Sequence, residues 1–323
     1  MTDPNWLLVT TAKESKRALS AARVKSILKG ADLDAQLAAF ARRGYHFERT
    51  DSNGLRIVAW PRRLFAEEIA CGLGTETVGR RIEVHWKVPS TNDLARAQAA
   101  RGREGTVVFT EEQTAGRGRF GRVWRAGKFS SLLFSSALLS PGGTVGTEGL
   151  MLAGAVAAAE AIRETSSLDA QIRWPNDVVV EEHKVCGVLV ESLSAADGDR
   201  WLVVGTGVNV NADEDSFAGE LRNIAGSLSM FAGREIDRAL LAREILRRLD
   251  FWWEVLKAGD TTRLGGKWRW LSSILGKFIT VKSGGRKHFG RVVDLDAHFG
   301  LVLQMSGGGT RVFEPSKTTL LHE

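Results

Sequence analysis

Residues 113–128 read QTAGRGRFGRVWRAGK, and what this stretch connects decides the fold. It contains Gly116-Arg117-Gly118-Arg119-Phe120-Gly121, a literal G-x-G-x-x-G, after the strand-like Thr106-Val107-Val108-Phe109-Thr110. A dinucleotide-binding turn would have to open a helix whose N-terminus holds the pyrophosphate, with an acid about 20 residues further on. The sequence that follows, Phe129-Ser130-Ser131-Leu132-Leu133-Phe134-Ser135-Ser136, reads instead as a second strand, and no acid stands at that distance. A phosphate-binding P-loop fails as well, because Arg122-Val123 stands where Lys and Ser/Thr are required. The segment is therefore a strand-to-strand loop with five cations, Arg117, Arg119, Arg122, Arg125 and Lys128, and no acid. Its glycines let the backbone approach a ligand, and guanidinium forks suit phosphate or carboxylate oxygens. A solvated basic loop is the competing reading of this segment taken alone.

The rest of the composition narrows the partner. At 323 residues, 43% hydrophobic and 25% charged, the chain has ordinary globular proportions and suits roughly two or three domains. No apolar run approaches the roughly 18 residues of a membrane span. Met1–Thr10 lacks the basic start, long apolar core and cleavage site of a targeting segment, which makes the cytoplasm the expected compartment. Cys71 and Cys186 are far apart in hydrophobic settings and read as packing residues. The net charge is +6, but residues 80–273 carry 25 basic and 25 acidic side chains. The basic loop is thus a local concentration, which favours a small anionic ligand over extended nucleic acid.

Working outward in both directions, the patterning gives three regions. Toward the N-terminus, Ser20 caps a helix through Leu28, Gly30 interrupts it, and Asp32 caps a second helix with Leu33, Leu37 and Phe40 on one face. Tyr45–Glu48, a turn at Asp51-Ser52-Asn53-Gly54 and Leu55–Trp60 predict a hairpin, so the order is that of a winged helix-turn-helix. Around the loop, strands are expected at Ile82–Trp86, 106–113, 129–139, Gln171–Trp174, Val178–Val180, Val185–Ser192 and Trp201–Val210, with helices after Ser90, from about Glu148 to Glu164, and over Ile236–Lys257 and Thr261–Leu271. This is an α+β core with a mixed sheet. Beyond it, Phe278–Val281, Phe289–Leu295, Gly300–Gln304 and Thr310–Phe313 suggest a small barrel.

Several polar clusters flank the loop in the sequence, and each has a plain reading. Ser90-Thr91-Asn92 would serve as a helix cap, Trp174-Pro175-Asn176-Asp177 as a turn, Lys184 as a solvated strand start, and Gly205-x-Gly207-x-Asn209 as a strand with close backbone approach. In order and spacing, these clusters together with Gln113, Gly116-Arg117-Gly118-Arg119-x-Gly121-Arg122-x-Trp124 and Lys184-x-x-Gly187 resemble the motif set of biotin protein ligases. Ala225-x-Ser227-Leu228 resembles the family's segment before its late helices. The resemblance covers essentially the whole chain and is to the repressor-type members. It implies a winged helix-turn-helix at 1–62, a biotin/lipoate-ligase-like catalytic domain at 63–273 and an SH3-like barrel at 274–323.

The resemblance further implies an ATP-dependent enzyme that converts biotin to biotinyl-5'-AMP and passes the biotin to a lysine of a biotin carboxyl-carrier protein. Carried over by motif, Ser90, Thr91, Asn92, Gln113, Gly116, Arg117, Gly118, Arg119, Lys184 and Gly187 would bind biotin. Arg119, Arg122, Trp124, Asn176, Lys184 and Asn209 would bind ATP or AMP, Lys184 and Arg119 would be catalytic, and Asp177 would help place Mg²⁺. The departure lies in the second helix of the N-terminal region, where Asp32 and Asp34 occupy a surface that would meet DNA phosphates. DNA binding and a structural or regulatory appendage both stay open there, as does a homodimer. A lipoate- or octanoate-type ligase and a biotin-dependent repressor are the competing functions.

Overall fold

In the computed structural model, which describes residues 5–321 apart from 16, 52–53, 196–197 and 297, the basic loop does join two strands. The N-terminal helices are α1 (Trp6–Glu14), α2 (Ala21–Leu28) and α3 (Leu33–Ala41). Ser20 and Asp32 cap α2 and α3 as expected, their side chains accepting from the amides of Arg23 and Asp34. Lys29 and Gly30, at φ 47° and 92°, make the tight turn between them. The hairpin strands β1 (His46–Arg49) and β2 (Leu55–Ala59) follow; the expected turn residues Ser52 and Asn53 lie outside the described residues. Helix α1 was not expected. Its apolar run is short, and it is held by tertiary packing, with Trp6 edge-on to Phe40 and Tyr45.

The central region contains α4 (Ala66–Ala70), β3 (Arg81–His85), α5 (Thr91–Ala99), β4 (Thr106–Thr110), β5 (Ser131–Ser140), α6 (Thr147–Ser166), β6 (Gln171–Arg173), β7 (Asp177–Val180), β8 (His183–Ser194), β9 (Arg200–Asn209), α7 (Leu228–Ala232), α8 (Arg238–Lys257) and α9 (Thr261–Leu271). The seven strands form one sheet in the order β3-β4-β5-β9-β8-β7-β6, with β3 and β4 parallel and the other pairs antiparallel. Strand alternation divides the sheet into two faces. Val188 and Val204 face α6, so closely that a Cβ on its Gly154 would lie 2.9 Å from Val188. Gly187, Gly205 and Gly207 face the opposite way, toward the basic loop and α5. β4 ends three residues earlier than the patterning suggested and β5 begins two later, because the feet of the loop bond elsewhere, Gln113 to Thr91 and Lys128 to Glu112.

Strands β10 (Phe278–Ser283), β11 (Arg286–Leu295), β12 (Leu301–Met305), β13 (Thr310–Phe313) and β14 (Thr318–Leu321) form an antiparallel sheet in the order β13-β12-β11-β10-β14. The last of these was not anticipated. This sheet does not have a separate core: Val281, Val292, Leu301 and Phe313 belong to the same buried cluster as the central sheet and helices. The Trp174 indole donates to the Phe299 carbonyl at 3.0 Å, stitching the two sheets together.

The N-terminal helices have their own apolar cluster but meet the core through buried charges. Lys13 Nζ lies 2.5 Å from Glu68 Oε1 and 2.9 Å from Asp237 Oδ2, the cap of α8. Arg238 joins three segments: it donates to the Arg62 carbonyl and to the Ser131 carbonyl, and its Nη2 lies 2.8 Å from Glu111 Oε2 as an ion pair outside hydrogen-bond alignment. Among the described residues no helix is long and apolar enough to cross a membrane.

Candidate active site

A cavity of about 950 Å³ opens where the basic loop lies over the glycine-bearing face of the sheet. Of the residues singled out in the sequence, Ser90, Thr91, Asn92, Gln113, Arg117, Gly118, Arg119, Arg122, Trp124, Asn176, Asp177, Lys184, Gly187 and Asn209 all line it. Gly116 does not. It is buried behind the wall, where its carbonyl accepts the Trp124 amide at 3.0 Å and a Cβ would lie 2.5 Å from the Trp124 carbonyl. Its role in the geometry is to let two loop strands touch.

One part of the lining is uncharged and already organised. The Gln113 Oε1 accepts the Thr91 amide at 2.8 Å and the Thr91 hydroxyl at 3.2 Å. Ser135 Oγ lies 2.7 Å from Thr91 Oγ1 and 2.5 Å from Asn92 Oδ1, so its single proton serves one or the other. These groups sit at the start of α5 because the helix opens at Thr91, and Gly205 makes room for them: a Cβ there would come within 2.2 Å of Asn92 Oδ1. Ser135 was missed in the sequence, although a serine in the run Leu132-Leu133-Phe134-Ser135-Ser136-Ala137 is a buried polar group in need of partners.

Another part is ionic. Lys184, on β8, places Nζ 2.6 Å from Asp177 Oδ1 and 5.5 Å from the Trp124 ring. Trp124 lies flat enough on the sheet that a Cβ on Gly207 would come within 2.6 Å of it and one on Gly187 within 3.0 Å. Its indole N–H is buried with no acceptor among the described residues. Arg119 reaches out of the loop, donating to Asn176 Oδ1 at 3.2 Å and to the carbonyls of Pro315 and Thr318. Burial holds its guanidinium below the usual arginine range. The C-terminal sheet thus takes part in the cavity, and Thr319 and Leu320 line it; nothing in the sequence of β14 announced this. Asn176 is pinned in turn, its amide donating to the Val188 carbonyl at 2.8 Å. Asn209 donates to the Gly226 carbonyl at 3.1 Å and ties β9 to the segment before α7.

The five loop cations are not equivalent. Lys128 is paired at the loop's foot with Glu112, 2.7 Å away, and Lys87 shares that carboxylate at 2.8 Å. Arg117 is forked onto Asp93. Arg122 and Arg125 are exposed and have no ion pair or side-chain hydrogen bond among the described residues. Two guanidinium groups are therefore available to an incoming anion. Cys186 is buried, and burial pushes its thiol up to about 12, which leaves it inert as a nucleophile.

A mixed sheet with helices packed on it, a glycine-lined floor and a cationic loop that joins two strands over that floor exclude a dinucleotide-binding turn, which would open a helix, and define an α/β protein with a site for small anionic ligands. The model of the Biotin/lipoate A/B protein ligase family matches residues 82–209. The chain is 30% identical over 84% of its length, and 84% of the relative's, to the bifunctional ligase/repressor BirA of Bacillus subtilis. It is 29% identical to the biotin--[acetyl-CoA-carboxylase] ligase of Mycobacterium tuberculosis over 80% of this chain and 94% of that one. The biotin protein ligase of Aquifex aeolicus, solved in complex with biotin and ATP, superposes with a TM-score of 0.66 and 27% identity, covering 76% of this chain and all of that one. The chain belongs to the biotin protein ligase family.

Proposed function

We infer that the protein is an ATP-dependent biotin protein ligase, which activates biotin to biotinyl-5'-AMP and transfers it to a lysine of a biotin carboxyl-carrier protein such as that of acetyl-CoA carboxylase. The observation that carries this reading is the make-up of the cavity. It combines an uncharged donor–acceptor set at Ser90, Thr91, Asn92 and Gln113, suited to a neutral ureido ring, with Lys184, Arg119 and the exposed Arg122. In the first step a carboxylate oxygen attacks the α-phosphorus of ATP and pyrophosphate leaves. Two anions must meet, and the Lys184 ammonium beside them lowers their repulsion. In the second step the carrier's amine attacks the acyl carbon and AMP leaves, so the protein needs no nucleophile of its own. A loop that covers the anhydride keeps water from it.

Asp177 is engaged by two cations rather than left open to a magnesium ion. Its carboxylate is held by Lys184 at 2.6 Å and by Arg173 at 3.7 Å, and no group of three or more His, Cys, Asp or Glu suited to a metal occurs among the described residues. The donor set does not fit a resident metal site, and Asp177 is better read as the group that orients Lys184. Mg²⁺ then belongs with the phosphates of the nucleotide.

We read residues 1–62 as a winged helix-turn-helix and residues 274–323 as an SH3-like barrel that closes one end of the cavity. For the former, an appendage fixed to the core is favoured over a DNA reader. Asp34 on α3 is exposed and pairs at 2.5 Å with Arg49 of the hairpin, so the helix neutralises a cation that phosphates would need. The decisive experiment measures biotin- and ATP-dependent labelling of a carrier protein. Lys184→Ala should lower the rate by about 10²–10³-fold, the size of losing one preorganised charge at the reacting centre, with the denaturation midpoint nearly unchanged. Wild-type turnover in Lys184→Ala would sink the assignment, and lipoate outcompeting biotin would transfer it to the sister activity.

A further inference from the structure

Among the described residues, Arg117 is a loop cation whose charge is fully claimed by the protein beside the cavity, and the groups that claim it do not line the cavity themselves. Its Nη1 and Nη2 donate to Asp93 Oδ2 and Oδ1 at 3.0 and 2.7 Å, a two-point fork. The Nη2 also stands 3.5 Å from both oxygens of Glu191. Asp93 is in the first turn of α5, next to Asn92, and Glu191 is on β8. Glu191 also reaches the uncharged end of the site. Its Oε2 accepts the Asn92 side-chain amide at 3.1 Å, which turns Asn92 Oδ1 toward Ser135. Arg96 approaches the same carboxylate at 3.9 Å.

The loop itself is stiff where Arg117 projects from it. Arg117 bridges Val123, and Gly118 N bonds to the Arg122 carbonyl at 2.7 Å. Its position over the cavity is therefore set by a few side-chain contacts to the body, and the Asp93 fork is the one directed at α5. The fork is partly solvated, with Arg117 and Asp93 side chains 38% and 47% exposed. A pair of that exposure is weak enough to break and reform in each catalytic cycle. The guanidinium beside Asp93 holds its carboxyl below the usual range, so the fork stays charged at neutral pH.

We propose that Asp93 and Glu191 are positioning residues that latch the Gln113–Lys128 loop over the cavity through Arg117, and that Glu191, by also holding Asn92, couples loop closure to the shape of the uncharged end of the site. The substrate class is that of the proposed ligase, and on that reading the latch slows escape of biotin and of the acyl-adenylate. Neither carboxylate touches the reacting atoms.

The test compares wild-type protein with Asp93→Asn and Glu191→Gln, the latter keeping an oxygen for Asn92, in two independent measurements. The first is the rate of trypsin cleavage after Arg122 and Arg125, which needs no ligand. The second is the biotin dissociation rate, with kcat and KM measured alongside. Asp93→Asn should raise both the cleavage rate and the biotin dissociation rate by about three- to fivefold, the contribution of an exposed charged pair. KM for biotin should rise with them while kcat changes less than about twofold. In an Arg117→Gln background, Asp93→Asn should add nothing further, which separates the latch from any effect on the α5 helix terminus. Wild-type cleavage and dissociation in Asp93→Asn, or full additivity with Arg117→Gln, would overturn the latch. Faster cleavage in a protein that binds no biotin would leave the latch standing and overturn the ligase reading instead.

Discussion

The junction between the N-terminal helices and the core and the cavity beside the basic loop are built from the same side-chain types, yet they hold their charges in opposite ways. At the junction Lys13, Glu68, Arg238 and Glu111 are each no more than 5% exposed. At the cavity Arg117, Asp93 and Lys128 stand a third to a half in water, and Arg122 and Arg125 have no ion pair among the described residues. A buried pair is costly to separate because the charge left behind has no water, whereas a solvated pair exchanges partners at little cost. The junction is therefore built to stay and the loop to move. This difference also bears on the N-terminal unit: a module fixed by buried charges does not swing freely on a tether.

The largest effect should come from breaking the junction. Arg238→Ala would strand the buried Glu111 carboxylate and remove the bond to the Ser131 carbonyl. A loss of about 3–5 kcal/mol is expected, a large share of the stability of an ordinary domain. Denaturant titration measures it directly. A loss below about 1 kcal/mol would mean that the two regions do not differ in the way proposed.

A smaller effect concerns pH. Glu68 is a buried carboxyl raised above its ordinary value, first by burial and then by Asp237 beside it, with Lys13 opposing. Tyr45 donates to its other oxygen at 2.6 Å, and burial with the Glu68 charge raises that phenol too. Because the folded-state value lies above the unfolded one, the folded protein binds the proton more tightly. The corresponding stability is present below the unfolded value, near 4.5, and is lost as pH rises through the folded one. Glu68→Gln should flatten the fall in thermal midpoint on going upward from about that pH. A variant that falls as steeply as wild type would remove Glu68 from the account.

These two regions were not equally legible in the sequence. The cavity's residues could be grouped from the sequence because their order and spacing resemble a known motif set; taken singly, only the arginines in a loop without acids pointed to an anion, and Gly205 and Gly207 read merely as close backbone approach. The junction's could not, because Lys13, Glu68, Glu111 and Arg238 are single charges spread over 225 positions, and only the fold brings them together. For the same reason Asp93 reads in the sequence only as part of a helix start, and the partner that gives it meaning is 24 residues away. Helix α1 and strand β14 escaped because their order comes from what they pack on and pair with: Trp6 against Phe40 and Tyr45, and β14 against β10. The strands of the central sheet were found to within a few residues, since alternation and β-branched runs mark them locally.

The smallest expected stability change is the sharpest check on the cavity's half of the comparison. Arg122 makes no described contact with an acid or acceptor, and it is exposed. Removing it should leave the unfolding free energy within about 0.5 kcal/mol of wild type, as for surface positions without special features. Its charge can only matter once an anion arrives, so Arg122→Ala should raise KM for ATP while leaving the biotin dissociation rate unchanged. The same substitution at Arg117 would also disturb the loop's hold on Asp93, and the two variants should therefore separate in the rate of trypsin cleavage after Arg125, a site that both retain. If Arg122→Ala destabilises the folded protein as Arg238→Ala does, the guanidinium has a structural partner and is not held in reserve for a ligand.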